Sequence, residues 1–152
     1  MTTVPTQAAA TEFVEFFAAG WVIGARDPEA FFRHFGPRMH PNTALIQPLA
    51  PPARGPGALR ALFGPLFKAI PDLVGVVERW GENADGVLIE LTLRGHLGRR
   101  PLEWAVADRI ILEDGKIRER RSYFDSVPLV RAVALRPRAS LPLLLSLVRR
   151  RN

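Results

Sequence analysis

The sequence predicts a single α+β domain in which amphipathic helices come first and an antiparallel sheet follows. Aromatic residues recur at helical spacing through the first third of the chain, and alternating stretches separated by tight-turn residues fill the region from Val74 to Phe124. Helices followed by a run of strands are the pattern of helices laid on one face of a sheet. The length of 152 residues supports one packed core and not two.

Residues 1–10 are small and polar and are expected to be a disordered N-terminus. From Thr11, a plausible N-cap, Phe13, Phe16, Phe17, Trp21 and Val22 mark one helix face, and Gly24 ends it. Asp27-Pro28 reads as the N-cap and first position of a second helix carrying Phe31, Phe32 and Phe35, stopped by Gly36-Pro37. Thr43–Gln47 alternates as a short strand, and residues 49–56 read as a Pro-rich loop. A third helix over 57–70 buries Leu59, Leu62, Phe63, Leu66 and Phe67, with Pro65 expected to kink or split it.

The strand predictions are 74–80, 87–97, 102–112 and 116–124, with turns at Asp85-Gly86, residues 98–101 and Asp114-Gly115. A short helix over 128–135, an Arg/Pro break and an amphipathic segment over 141–151 complete the chain. The domain proper is therefore expected over 11–135, with residues 136–152 as a C-terminal amphipathic tail. That tail is read as a cap on a pocket, a segment docked on its own domain or a partner subunit, or a contact for an anionic membrane surface through its leucines and arginines.

Composition narrows the function classes. Hydrophobic residues make up 47% and charged residues 24%, a globular balance. The absence of cysteine excludes disulfides, thiolate metal sites and a cysteine nucleophile. No basic segment precedes an apolar run at the start, and the apolar stretch 141–148 is far shorter than a membrane span, so no transmembrane segment and a cytoplasmic location are expected. A net charge of +6 raises the question of nucleic acid. The arginines are scattered along the sequence, with Arg149–Arg151 as the one run of three, read as a solvated tail, so nucleic acid is not expected as a partner.

The order of elements, together with the ending Asp114-Gly-Lys-Ile-x-x-x-Arg-x-Tyr-Phe-Asp125, resembles the SnoaL-like branch of the NTF2-like superfamily, which includes polyketide cyclases, limonene-type epoxide hydrolases and, more distantly, ketosteroid isomerase. The stretch Ala44-Leu45-Ile46-Gln47-Pro48 through Pro51-Pro52-Ala53-Arg54-Gly55 is similar to the strand and loop before the third helix of the epoxide hydrolases. The resemblance implies a cone-shaped, curved antiparallel sheet wrapped around the N-terminal helices and enclosing a pocket. It implies chemistry much less, because one fold hosts many functions.

Polar residues facing such a pocket are the site candidates. Asp108 shares one side of its strand with Trp104, Val106, Ile110 and Leu112, and a carboxyl among such neighbours is costly without a purpose. The resemblance places Asp108 where ketosteroid isomerase, the standard example of a carboxylic acid kept neutral by an apolar site, carries its hydrogen-bond-donating Asp. The alternative is simple pairing with Arg120 on the neighbouring strand, a residue that is itself a substrate-binding candidate. Gln47 falls where relatives have a general-base Asp or a water-positioning Asn, and an amide cannot take a proton at neutral pH. Ser122 stands in place of a catalytic Asp; it can bond a substrate but not act as an acid near pH 7. Asp125 is expected to cap the segment that follows.

Glu90 and Thr92 lie where the resemblance places inward polar residues of the epoxide hydrolases. Periodicity alone also allows Glu90, Thr92, Arg94 and His96 to form the outer face. Trp21, Leu45, Phe63 and Trp104 are expected as pocket wall, core packing being the default for each. His34, His40 and His96 have no metal-ligand spacing, and His40 is read either at the pocket mouth or on the surface. No metal or organic cofactor is expected.

These residues lead to three expectations. The first is a cyclase-, isomerase- or epoxide-hydrolase-type enzyme for a small hydrophobic molecule, with Asp108 as acid or hydrogen-bond donor and Gln47, Ser122 and Glu90 positioning substrate or water. The second is a non-catalytic binder of such a molecule. The third is a homodimeric scaffold, since sheets of this fold commonly pair.

Overall fold

A computed structural model describes residues 6–149, with side chains as far as Leu145. Of the solvated tail expected at Arg149–Arg151, Arg149 is described only in its backbone, as the last residue of a helix, and residues 150–151 lie outside the described residues, as does the disorder expected at residues 1–5. The element order is α1 (Gln7–Ile23), α2 (Pro28–Phe35), a 3-10 turn (Gly36–Arg38), β1 (Met39–Gln47), β2 (Ala50–Arg54), α3 (Ala58–Ala69), β3 (Val74–Asn83), β4 (Gly86–Leu97), β5 (Arg100–Glu113), β6 (Lys116–Tyr123), α4 (Val127–Leu135) and α5 (Leu141–Arg149).

The six strands form a curved, unclosed sheet in the order β2-β1-β6-β5-β4-β3. Every neighbouring pair is antiparallel except β1 and β6, which run parallel, so the expected all-antiparallel sheet is in fact mixed. The parallel pair arises because α3 and the β3–β6 meander separate β1 from β6 in sequence, and such a pair needs a long crossover. Two-residue turns hold the meander. Asp114 (φ 51°) and Gly115 (φ 71°) both take the left-handed conformation that the twist of a tight hairpin demands.

Several local expectations change. The N-cap of α1 is Thr6, whose hydroxyl accepts from Ala9 N; Thr11 lies within the helix and donates to the Gln7 carbonyl. Residues 7–10 are thus helical. Asp27 caps α2 as expected, accepting from Glu29 N. The Pro-rich stretch is a strand, β2, because it occupies the sheet edge, where a missing N–H costs no ladder bond. Helix α3 runs unbroken through Pro65.

The helices cover one face of the sheet. Phe13, Phe17, Trp21, Phe31, Phe35, Phe63 and Phe67 form an aromatic layer against inward-facing Val87, Ile89, Leu91, Leu93 and Val106. At Gly75 a Cβ would sit 2.8 Å from the Trp21 ring, so the absence of a side chain there is what lets the indole lie against β3.

Candidate active site

Strand alternation places the central groups. On β5, Trp104, Val106, Asp108, Ile110 and Leu112 are buried while their neighbours are more exposed, so Asp108 faces inward as the sequence predicts. On β6 the inward series steps from Ile117 to Arg120 and Ser122, a change of parity. A bulge causes it: Ile111 pairs with Glu119 but Leu112 with Ile117, leaving Arg118 as an extra residue. The bulge is therefore what aims Arg120 and Ser122 into the interior.

Asp108 and Ser122 are directly opposite in register, and Arg120 is two positions along, opposite Ile110 on the same inner face. Arg120 Nε donates to Asp108 Oδ2 at 2.7 Å, and Ser122 Oγ donates to Asp108 Oδ1 at 2.6 Å. Arg120 Nη1 also donates to Gln47 Oε1 at a longer 3.4 Å, and its guanidinium lies 5.1 Å from the Phe63 ring centroid. Asp108 is 0% and Arg120 4% exposed. Charges so deeply buried are tolerable only when paired and hydrogen-bonded, and this cluster supplies both conditions. Both Asp108 oxygens are taken up by these contacts, so the pairing with Arg120 weighed from the sequence is present in the structure.

Other candidates separate into groups. Trp21, Leu45 and Phe63 line, with Arg120, an inner void of about 20 Å³, room for roughly one water. Trp21 packs edge-on against Phe31 and Phe63 at 5.2 and 5.6 Å, and its Nε1 has no hydrogen-bond partner among the described residues. Trp104 is buried at the inner face of β5 but borders neither cavity. Glu90 and Thr92 face outward, because Val87, Ile89, Leu91 and Leu93 take the inner face of β4. Glu90 pairs there with Arg79 at 2.7 Å, so the inward placement drawn from the resemblance is corrected in favour of the alternation.

The histidines take local roles. His34 bonds the Phe16 carbonyl and stacks on its ring; His40 Nδ1 accepts from Asn42 N; His96 bonds Asp72. Among the described residues no group of His, Asp and Glu is placed to hold a metal ion. Asp125 accepts from Val127 N at the start of α4, the capping role expected of it.

The large cavity lies elsewhere, at the end of the sheet beneath the C-terminal helices. It measures about 510 Å³ and is half-enclosed. Its walls come from the β1–β2 turn, from Leu62, Leu66 and Ile70 of α3, from Leu97 and Leu102 at the β4–β5 turn, from Phe124, and from α4 and α5. Among the described residues Gln47 is the one amide in an otherwise apolar lining, and it is also a member of the buried cluster. Sequence reasoning missed most of this wall. The signal available was the spacing of Leu129 and Val133 on the short helix expected over 128–135, with Leu143 in the segment read as a tail.

Comparison with known proteins agrees with this architecture. The family model described as SnoaL-like domain matches residues 10–120. None of the curated proteins matches. Among solved structures, a candidate SnoaL-like polyketide cyclase from Jannaschia sp. CCS1 superposes with a TM-score of 0.73 at 22% identity, over 88% of this chain and 97% of that one. An LEH-like epoxide hydrolase from M. tuberculosis gives 0.67 at 18% identity, over 90% and 98%. A protein with a ketosteroid-isomerase-like fold from Catenulispora acidiphila DSM 44928 gives 0.67 at 16%, over 87% and 95%. At these identities the structures support the fold alone.

Proposed function

The chain belongs to the SnoaL-like domain family, and from that premise we propose that it binds a small, largely apolar molecule in the cavity beneath α4 and α5. The observation that carries this reading is the cavity itself. Its volume of about 510 Å³ falls within the range of small-molecule sites, and its lining, among the described residues, is apolar with one convergent amide, Gln47. A neutral ligand with a single carbonyl or hydroxyl fits that lining; a charged one would lose its hydration with no partner. The buried Asp108–Arg120–Ser122 cluster stands behind Gln47 and holds its amide oxygen, which leaves the amide N–H₂ as the group able to meet a ligand.

The test is thermal unfolding with terpenes, steroids and aromatic polyketides, followed by mass-spectrometric recovery of the ligand. A true ligand at about a hundredfold over its Kd adds about 2.7 kcal/mol, or roughly 5–10 °C for a chain of this size. If no compound of these classes moves the transition, the reading fails.

The continuity from Gln47 through Arg120 to Asp108 favours a second reading, acid/base chemistry of the cyclase, isomerase or epoxide-hydrolase type. In it the substrate displaces Gln47 from Arg120 and meets Asp108, whose carboxylate takes a proton from one position of the substrate and returns it at another while Ser122 holds the carboxylate by its hydrogen bond. Ligand recovered chemically altered, with the change abolished by Asp108→Asn, separates this reading from binding alone. The dimeric scaffold draws support from Val76, Leu88 and Tyr123, exposed on the outer face of the sheet, but it gives the cavity no purpose.

A further inference from the structure

The C-terminal helices carry a surface that ligand binding leaves unused. Six of the 21 basic residues and none of the 15 acidic ones follow Asp125. The 15 basic residues before that point offset all 15 acids, so the whole net charge of +6 resides in residues 126–152. The same region exposes an unusual amount of aliphatic surface. Val127, Val130, Leu135, Leu141 and Leu145 are each at least 47% exposed, and Leu135 reaches 71%. Exposed Arg131 and Arg138 sit between them, with no carboxylate interleaved.

We propose that α4 and α5 form a docking surface for an anionic lipid bilayer. Aliphatic side chains mixed with cations suit the boundary between acyl chains and phosphate headgroups, where each kind of group gains from a different layer. The helices are nine residues each, and no described helix is long and apolar enough to cross a membrane, so they would lie on the surface. The cavity shares this surface: Leu49, Val130 and Leu144 line it and are themselves exposed at its rim. An apolar molecule dissolved in the bilayer would thus reach the cavity without crossing water.

Two other occupants fit less well. Residues 126–152 contain no Phe, Trp or Tyr to stack on bases, and exposed leucines gain nothing from a phosphate backbone. A second copy meeting this patch symmetrically would bring two like-charged surfaces together, and residues 1–125 have no net negative charge to attract it otherwise.

Vesicle flotation of the full chain tests the proposal, using mixed phosphatidylcholine/phosphatidylglycerol vesicles against pure phosphatidylcholine. The chain should float with the mixed vesicles and not with the pure ones, and added salt should release it. Arg131→Glu/Arg138→Glu and, separately, Leu135→Glu should each weaken binding by about tenfold or more, with melting unchanged. Absence of binding to anionic vesicles overturns the proposal, as does binding indifferent to lipid charge. Competition by duplex DNA that outlasts the Leu135→Glu change would assign the surface to nucleic acid, and a dimer lost on Leu135→Glu would assign it to a second copy; either overturns the lipid. Should a variant fail to fold, the lipid-charge and salt contrasts of the parent chain decide alone. The outcome is independent of the cavity, since docking is read without any ligand.

Discussion

At one end of the interior, Phe17, Trp21, Phe31, Phe35 and Phe63 close on one another with ring centroids 4.7–6.4 Å apart and leave about 20 Å³. At the other end, aliphatic side chains of α3, α4 and α5 face each other across about 510 Å³. Large flat rings on α1, α2 and α3 interlock in edge-to-face pairs and fill space, whereas leucines and valines on short helices joined by Pro137 leave it open. The buried charges mark the boundary: Arg120 borders the small void, and Gln47, its partner, borders the large one. The closed end thus holds the fold, and the open end is free to hold something else.

The largest expected effect tests the boundary. Asp108→Leu would leave the Arg120 guanidinium buried and unpaired, at a cost of about 3–5 kcal/mol, a large share of the ~5–15 kcal/mol that holds a domain together. Adding Arg120→Met should restore much of the loss, because two apolar groups then replace the pair. Urea unfolding of the single and double variants measures both. A double variant no better than the single would mean that the charges do more than satisfy each other.

The next contrast uses one helix and one substitution. Leu59 and Leu66 both lie on α3, Leu59 against the inner void and Leu66 against the large cavity. Leu59→Ala should cost about 2–4 kcal/mol, since its neighbours are packed too tightly to collapse into the space. Leu66→Ala should cost only about 1 kcal/mol, as it enlarges an opening that already exists. Equal losses in urea unfolding would erase the distinction between the two ends.

The closed end was the more legible in sequence, for physical reasons. Aromatics at helical spacing and β alternation are local patterns, and they placed Phe13, Phe17, Trp21 and Asp108 correctly on inner faces. Local pattern was also the better guide at Glu90 and Thr92, where alternation allowed the outer face that resemblance denied. Strand β2 escaped notice because Pro51 and Pro52 mark a loop unless the strand is an edge, and edge position is a property of the whole sheet. The large cavity was illegible because it depends on where α4 and α5 return, which no local period encodes. Contact of the Leu/Arg tail with an anionic membrane surface was one of three readings open from sequence, and the exposed helices are what favour it.

The smallest effect comes from an exposed counterpart of the buried pair. Asp72, in the turn after α3 beside the cavity wall residue Ile70, accepts from His96 N at 2.8 Å and from His96 Nδ1 at 2.7 Å. Burial pushes its carboxyl up, but the hydrogen bonds from the His96 side chain and backbone outweigh that and hold it below its ordinary value of 3.8. A lowered folded value means that this contribution is complete above the unfolded value and is lost as the pH falls through the folded one. Both side chains are about half exposed, so water screens the pair and its worth is at most about 1 kcal/mol. Asp72→Asn should therefore lower the melting temperature by a few degrees near neutral pH, roughly what that energy implies. The gap between variant and parent should close as the pH drops below 3.8. The same chemistry that costs several kcal/mol to break at Asp108 would then cost little at Asp72, because one carboxylate is buried against Arg120 and Ser122 and the other has the solvent. A gap that persists into acid would place the value of Asp72 in the shape of its turn and not in its charge.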